Sequence, residues 1–190
     1  MIKFIYDKTV SLIRYGRGSI VDLSPEIEAS LIAEGAAAGF PVISRPIEVL
    51  SSSAVAISCA GTAVDEILAS FLIAAGTLGV NSILQIEPLW TFASSANNKI
   101  LKVKIGATTV YSATRTMSTK EAPLIVLANR NALSSQIQPY DNAYFTAGAT
   151  NPAVYSIDFS VNQTVVITGQ RAISEALSLE YFRTLHFVGA

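Results

Sequence analysis

The sequence predicts an all-β chain: a two-sheet sandwich over residues 54–190, preceded by a small α+β module at residues 1–45 and a linker to about residue 53. Three observations predict it. From Ala54 onward apolar residues recur with period two in run after run, and no segment there keeps a period of 3.6. The runs are broken at intervals of roughly 8 to 14 residues by turn chemistry such as Ser94-Ser-Ala-Asn-Asn98, Ile105-Gly-Ala107, Ala147-Gly-Ala-Thr-Asn-Pro152 and Val161-Asn-Gln163. Finally, 51% of the 190 residues are hydrophobic and 14% charged, enough to bury a core without staples and the reverse of a disordered composition.

Taken in order, Ile2, Phe4 and Tyr6 alternate with Lys3 and Ile5, a second apolar run holds Val10, Leu12 and Ile13, and a third, Ile20–Leu23, follows the Gly16-Arg-Gly18 turn. These make two or three small strands. Ser24-Pro25-Glu26 then supplies an N-cap, a proline at the first helical position and an acid in the first turn, with Ile27, Leu31 and Ile32 at helical spacing. The helix continues through Ala33 to Ala38 or frays near Gly35, and Gly39-Phe40-Pro41 ends it. Residues 41–53, with Pro46 and Ser51-Ser-Ser53, read as a linker.

Roughly eight to ten strands are expected in the sandwich. Residues 67–86 run twenty positions without a charge, but their Gly-Thr-Leu-Gly-Val-Asn centre makes them two strands about a turn rather than a membrane span. Leu84, Ile86, Pro88, Trp90 and Phe92 share one face of the next strand; Leu101, Val103 and Ile105 share one opposite Lys102 and Lys104. Residues 116–150 are less regular, with a short strand near Ile125–Ala128. Tyr155, Ile157 and Phe159 oppose Ser156, Asp158 and Ser160. In the last strand Leu177, Leu179, Tyr181, Leu185 and Phe187, with Arg183, oppose Ser178, Glu180, Thr184 and His186.

Chemistry is sparse. The sole histidine, His186, falls on the polar face of its strand and reads as a solvent- or subunit-facing imidazole, so a serine triad would have to be built around it. The sole cysteine, Cys59, permits no disulfide or CxxC motif and reads as a small buried hydrophobe. No metal site and no cofactor motif is expected. Asp65 and Glu66 are adjacent and so point to opposite faces of a strand, while Asp141, Asp158, Glu175 and Glu180 read as lone acids in loops or on polar faces; Glu26 and Glu28 answer a helix dipole. A net charge of −1 with scattered Lys and Arg argues against nucleic acid as partner. The opening Met1-Ile-Lys-Phe-Ile-Tyr-Asp7 lacks the apolar stretch of a signal peptide, and no membrane association is expected. A non-enzymatic subunit is the reading, because so weakly charged a surface is poorly protected against association.

Three segments, Ile73-Ala-Ala-Gly-Thr-Leu-Gly-Val-Asn-Ser-Ile-Leu-Gln-Ile86, Ala96-Asn-Asn-Lys-Ile-Leu-Lys-Val-Lys-Ile-Gly106 and Thr164-Val-Val-Ile-Thr-Gly-Gln170, resemble a jelly-roll domain of virion structural proteins from tailed bacteriophages. The resemblance runs from about Ala54 to the C-terminus, and the module before it looks like the strand-and-helix units that begin some phage head proteins. It implies a jelly-roll sandwich in a capsid cement or decoration protein that binds the major capsid protein, forms a homotrimer, is made in the host cytoplasm and ends on the capsid exterior. Docking on the capsid is assigned to Ile2, Phe4, Tyr6, Arg14, Tyr15 and Arg17, strand and turn residues of a sheet with open edges. The alternative is a tail-fibre or baseplate protein that binds host-surface glycan, for which Tyr140, Tyr144 and Phe145 are the aromatic candidates.

Overall fold

The computed structural model describes residues 47–61, 63–138 and 151–189 and, before them, Ile2–Phe4, Lys8–Val10, Ile13–Tyr15, Ile20–Val21 and Ala37–Gly39 together with Ile27. The chain divides into two units, Met1–Ser44 and Arg45–Ala190.

In the first unit β1 (Ile2–Phe4) is the centre strand of a three-stranded antiparallel sheet, between β4 (Ile20–Val21) and β5 (Ala37–Gly39). A hairpin of β2 (Lys8–Val10) and β3 (Ile13–Tyr15) pairs Val10 with Ile13, so the second apolar run is two strands about a two-residue connection. Of the helix expected after Ser24 only Ile27 is described, with helical backbone and an exposed side chain; the remainder lies outside the described residues. The expected end of that helix is corrected: Ala37–Gly39 is extended and pairs Gly39 with Ile2 and Ala37 with Phe4. Alanine and glycine carry no bulk that forbids either state, and pairing with β1 decides.

The second unit is two facing antiparallel sheets. The smaller has the order β11 (Thr108–Arg115), β10 (Lys99–Ile105), β16 (Gln163–Arg171), β8 (Glu66–Ile73). The larger runs β15 (Ala153–Tyr155), β14 (Gln136–Gln138), β13 (Ile125–Asn129), β9 (Ile83–Phe92), β17 (Leu177–Phe187), β6 (Ile47–Ser53), with β12 (Lys120–Glu121) also on β9 and β7 (Ile57–Ser58) also on β17. This is the all-β sandwich the period-two runs predict. Residues 67–86 form β8 and β9 about a turn, as expected, and the turn carries the chain from one sheet to the other.

The core lies between the sheets. Leu84, Ile86, Trp90 and Phe92 of β9 face Leu101, Val103, Ile105, Val165 and Ile167 of the smaller sheet, all buried. Two ring pairs join the layers: Trp90 with Tyr111, centroids 6.2 Å apart, and Phe71 with Phe182 at 5.8 Å. Pro88 sits within the central strand β9 because its missing N–H falls in a gap: β13 pairs β9 only as far as Ile86, and β12 begins at Trp90. Gly106, at φ +55°, makes the tight β10–β11 turn that a side chain would strain.

Two expectations are corrected here. Residues 47–53 are not linker but β6, an edge strand; its alternation is weak because Ile47 and Val49 are exposed on an uncovered face. In β17 the pairing shifts between Leu179 and Tyr181, a bulge at Glu180 that reverses the alternation. Beyond it Phe182, Thr184 and His186 point into the core while Tyr181 and Arg183 point out, the opposite of the sequence assignment.

Candidate functional site

The bulge in β17 places the one histidine where the sequence did not put it. His186 is 3% exposed, its Nε2 is 2.9 Å from Ser82 Oγ and its Nδ1 is 3.3 Å from Glu48 Oε2. Each contact has a local cause. Glu48 is the cross-strand partner of His186 between β6 and β17, so their side chains share a face. Ser82 closes the turn before β9: its N–H donates to Gly79 O at 3.1 Å and its Oγ accepts the Gly79 N–H at 2.8 Å. Both ring nitrogens are therefore engaged, Nε2 by Ser82 and Nδ1 by Glu48, with the tautomer setting which side donates at each contact.

Serine, imidazole and carboxylate in this sequence are the connectivity of a nucleophile, a base and an orienting acid. Catalysis needs in addition a nucleophile that substrate can reach. Ser82 is 2% exposed and its oxygen is held from two sides. A cleft of about 380 Å³ lies where β6 meets β17, lined by Ser52, Ser53, Ala54, Glu87, Tyr181, Phe182 and Arg183, and Ser82 is not among its residues. Nothing there delivers a carbonyl to Ser82. What the arrangement does is tie the turn at 79–82 to β17 and, through Glu48, to the edge strand β6. Sequence reading missed Ser82 and Glu48 entirely, since 138 residues separate Glu48 from His186.

The described acids are likewise engaged by protein donors. Asp65 takes Lys102 at 2.7 Å and Lys104 at 3.3 Å; burial pushes its carboxyl up, but the two ammonium groups outweigh that and hold it below its usual value. Glu66 accepts from the N–H groups of Ala60, at 2.7 Å, and Gly61. Glu121 binds Arg115 through both oxygens, at 2.6 and 2.8 Å, and accepts from Tyr111, whose phenol burial pushes up, with Glu121 adding to the rise. Glu175 accepts from Asn97 and Ser95, each at 2.8 Å, and lies 3.1 Å from Lys99 Nζ; these donors hold its carboxyl low. Lys99 is fully buried on the apolar face of β10, which its alternation with Leu101 requires and which only this cluster makes tolerable. Cys59 is buried and its thiol is pushed up to about 11, chiefly by desolvation and then by Glu66, so it is an inert core residue. Among the described residues no group of three or more His, Cys, Asp or Glu is placed to hold a metal.

Of the residues assigned to capsid docking, Ile2 and Phe4 lie in β1 and Arg14 and Tyr15 in β3, while Tyr6 and Arg17 lie outside the described residues. β1 is flanked on both sides, so the edges of its sheet are β4 and β5; β3 pairs β2 on one side, Tyr15 opposite Lys8. Tyr140, Tyr144 and Phe145 also lie outside the described residues, as does Asp141.

Comparison with known protein families gives no match. Comparison with curated proteins gives none either. Among solved structures the chain is similar to the CBM2 module of the evolved Dit of Lactobacillus casei BL23 phage J-1, with a TM-score of 0.36 and 9% identity over 64% of this chain and 69% of that one, a likeness too distant to carry a function across.

Proposed function

We propose that this chain is a non-enzymatic virion structural protein of a tailed phage, a decoration protein that binds the major capsid protein lattice on the head exterior and stabilises it. The observation that supports the reading most is where the three resembling segments lie. Two of them, far apart in sequence, adjoin in space, since β10 pairs β16 from Lys99↔Arg171 to Ile105↔Val165; the third, residues 73–86, forms the turn that leads from β8, the other neighbour of β16, into β9 of the facing sheet. The resemblance therefore covers two paired central strands of the smaller sheet and the turn that links the two sheets.

The mechanism is linkage. A protein that binds the assembled lattice and not its separate subunits favours the lattice by the free energy of its own binding. Self-association, trimeric as the resemblance implies, multiplies the contacts each particle makes with the shell. Docking is assigned to the N-terminal unit, where β3 offers a cation and an aromatic in Arg14 and Tyr15. Adding purified full-length protein to capsids stripped of it should restore normal occupancy, and deleting residues 1–45 should abolish that binding. Rebinding by the truncated chain would move docking to the sandwich; binding to tails and not to heads would replace the reading with the tail-fibre or baseplate alternative.

A further inference from the structure

The registers of the larger sheet line up one apolar row across six strands. Ile47 of β6 pairs Phe187 of β17, which pairs Ile83 of β9; Ile83 pairs Ala128 of β13, which pairs Ile137 of β14, which pairs Val154 of β15. Cross-strand partners point to the same face, and this is the face opposite the core: the neighbours Leu84, Leu127, Gln136 and His186 are all buried. At about 4.8 Å between strands the row is about 24 Å long. A parallel row, Val49–Leu185–Gln85–Val126, is apolar except for one amide.

We infer that this outer face is where one copy of the chain meets another. Ile47, Ile83 and Val154 are 49%, 37% and 58% exposed and Val49 is 62% exposed. Together the two rows leave on the order of 500 Å² of apolar surface in water, the upper end of what a soluble monomer keeps and about the non-polar share of the roughly 800 Å² each partner gives to a standard interface. Neither row contains a charge, so along them identical faces meet without like-charge repulsion and without desolvating an ion; the charges in the next row of that face, Arg183 and Glu87, pair with each other at 2.6 Å. Shape points the same way. A twisted sheet face is complementary to a sheet of equal twist, and a second copy supplies one, packing at about 10 Å as the layers of a sandwich do. This inference stands on the face alone and does not require the virion reading.

The test uses the full-length chain and three substitutions at exposed positions: V154K on the terminal strand β15, I83K in the middle of the row, and V161K, in a loop away from it, as control. Sedimentation at 1 to 100 micromolar should show wild type and V161K as oligomers, and V154K and I83K as monomers with an unchanged Trp90 emission spectrum. If either folded lysine variant associates as wild type does, the contact lies elsewhere and the inference fails. A wild-type chain that stays monomeric throughout that range overturns it too, and if such a monomer binds stripped capsids through this face, the occupant is the shell and not a second copy.

Discussion

Glu48 and His186 are cross-strand partners at the edge of the larger sheet, and the 3.3 Å contact between Glu48 Oε2 and His186 Nδ1 joins an exposed side chain to a buried one. On the far side of the ring Ser82 completes the chain of hydrogen bonds 2.9 Å from Nε2. The edge strand β6 is thus fastened through side chains to the turn that begins β9, in addition to its ladder with β17.

If this chain of bonds holds structure and performs no hydrolysis, Ser82→Ala should cost about 1–2 kcal/mol, since it removes the acceptor of the Gly79 N–H and the partner of Nε2. Chemical denaturation reads that loss. A serine-reactive phosphonate should leave the native protein unlabelled, and stoichiometric labelling at Ser82 would show that the nucleophile is reachable after all.

The Lys99 cluster predicts an asymmetry. Glu175→Gln leaves a fully buried ammonium without its counter-charge, whereas Lys99→Met replaces the cation by an apolar chain of similar length and leaves Glu175 bonded to Ser95 and Asn97 at the surface, so the first should lower stability clearly more than the second. Equal losses for the two variants in urea unfolding would mean that the ion pair, rather than the burial of Lys99, sets the energetics.

Acid should weaken the fold through the same group. The folded-state carboxyls of Asp65 and Glu175 lie below their ordinary values of 3.8 and 4.5, so the unfolded chain binds protons first and stability falls as the pH drops below about 4.5 and through the folded values. Glu175→Gln should flatten this limb in thermal melts between pH 5 and 3. An unchanged slope would remove Glu175 from the account.

Trp90 is the single tryptophan of the chain, 0% exposed and stacked on Tyr111 between the layers. Its emission should be blue-shifted in the native state and move to the red on unfolding, and Trp90→Ala should cost about 3–5 kcal/mol by opening a cavity at the centre of the core. Native emission already at the wavelength of solvated indole would contradict the packing described.

Legibility followed the strength of the alternation. In β9 and β10 every second residue is buried, and the sequence shows both strands and both faces without ambiguity. It could not show the bulge at Glu180, because Tyr181, Leu185 and Phe187 continue an apolar period of two that the bulge turns outward. The bulge thereby buries His186, which the alternation places on the polar face, and turns Leu185 and Phe187, which it places in the core, into the outer rows. β6 reads as linker in the sequence because its apolar residues are accompanied by Glu48 and three serines, a pattern that suits an edge strand as well as a loop. Lys99 was legible as a member of its strand, but the acid that neutralises it lies 76 residues on, in a turn between β16 and β17. The relay to Ser82 and Glu48 depends on three separate stretches of chain meeting at one end of a sheet, which no local pattern encodes.

Electron cryomicroscopy of purified particles tests the central claim most directly. The account predicts density for the two-layer sandwich on the outside of the head, in symmetric clusters over the capsid lattice. Particles that contain the protein only at the tail, or purified particles that lack it altogether, would contradict it.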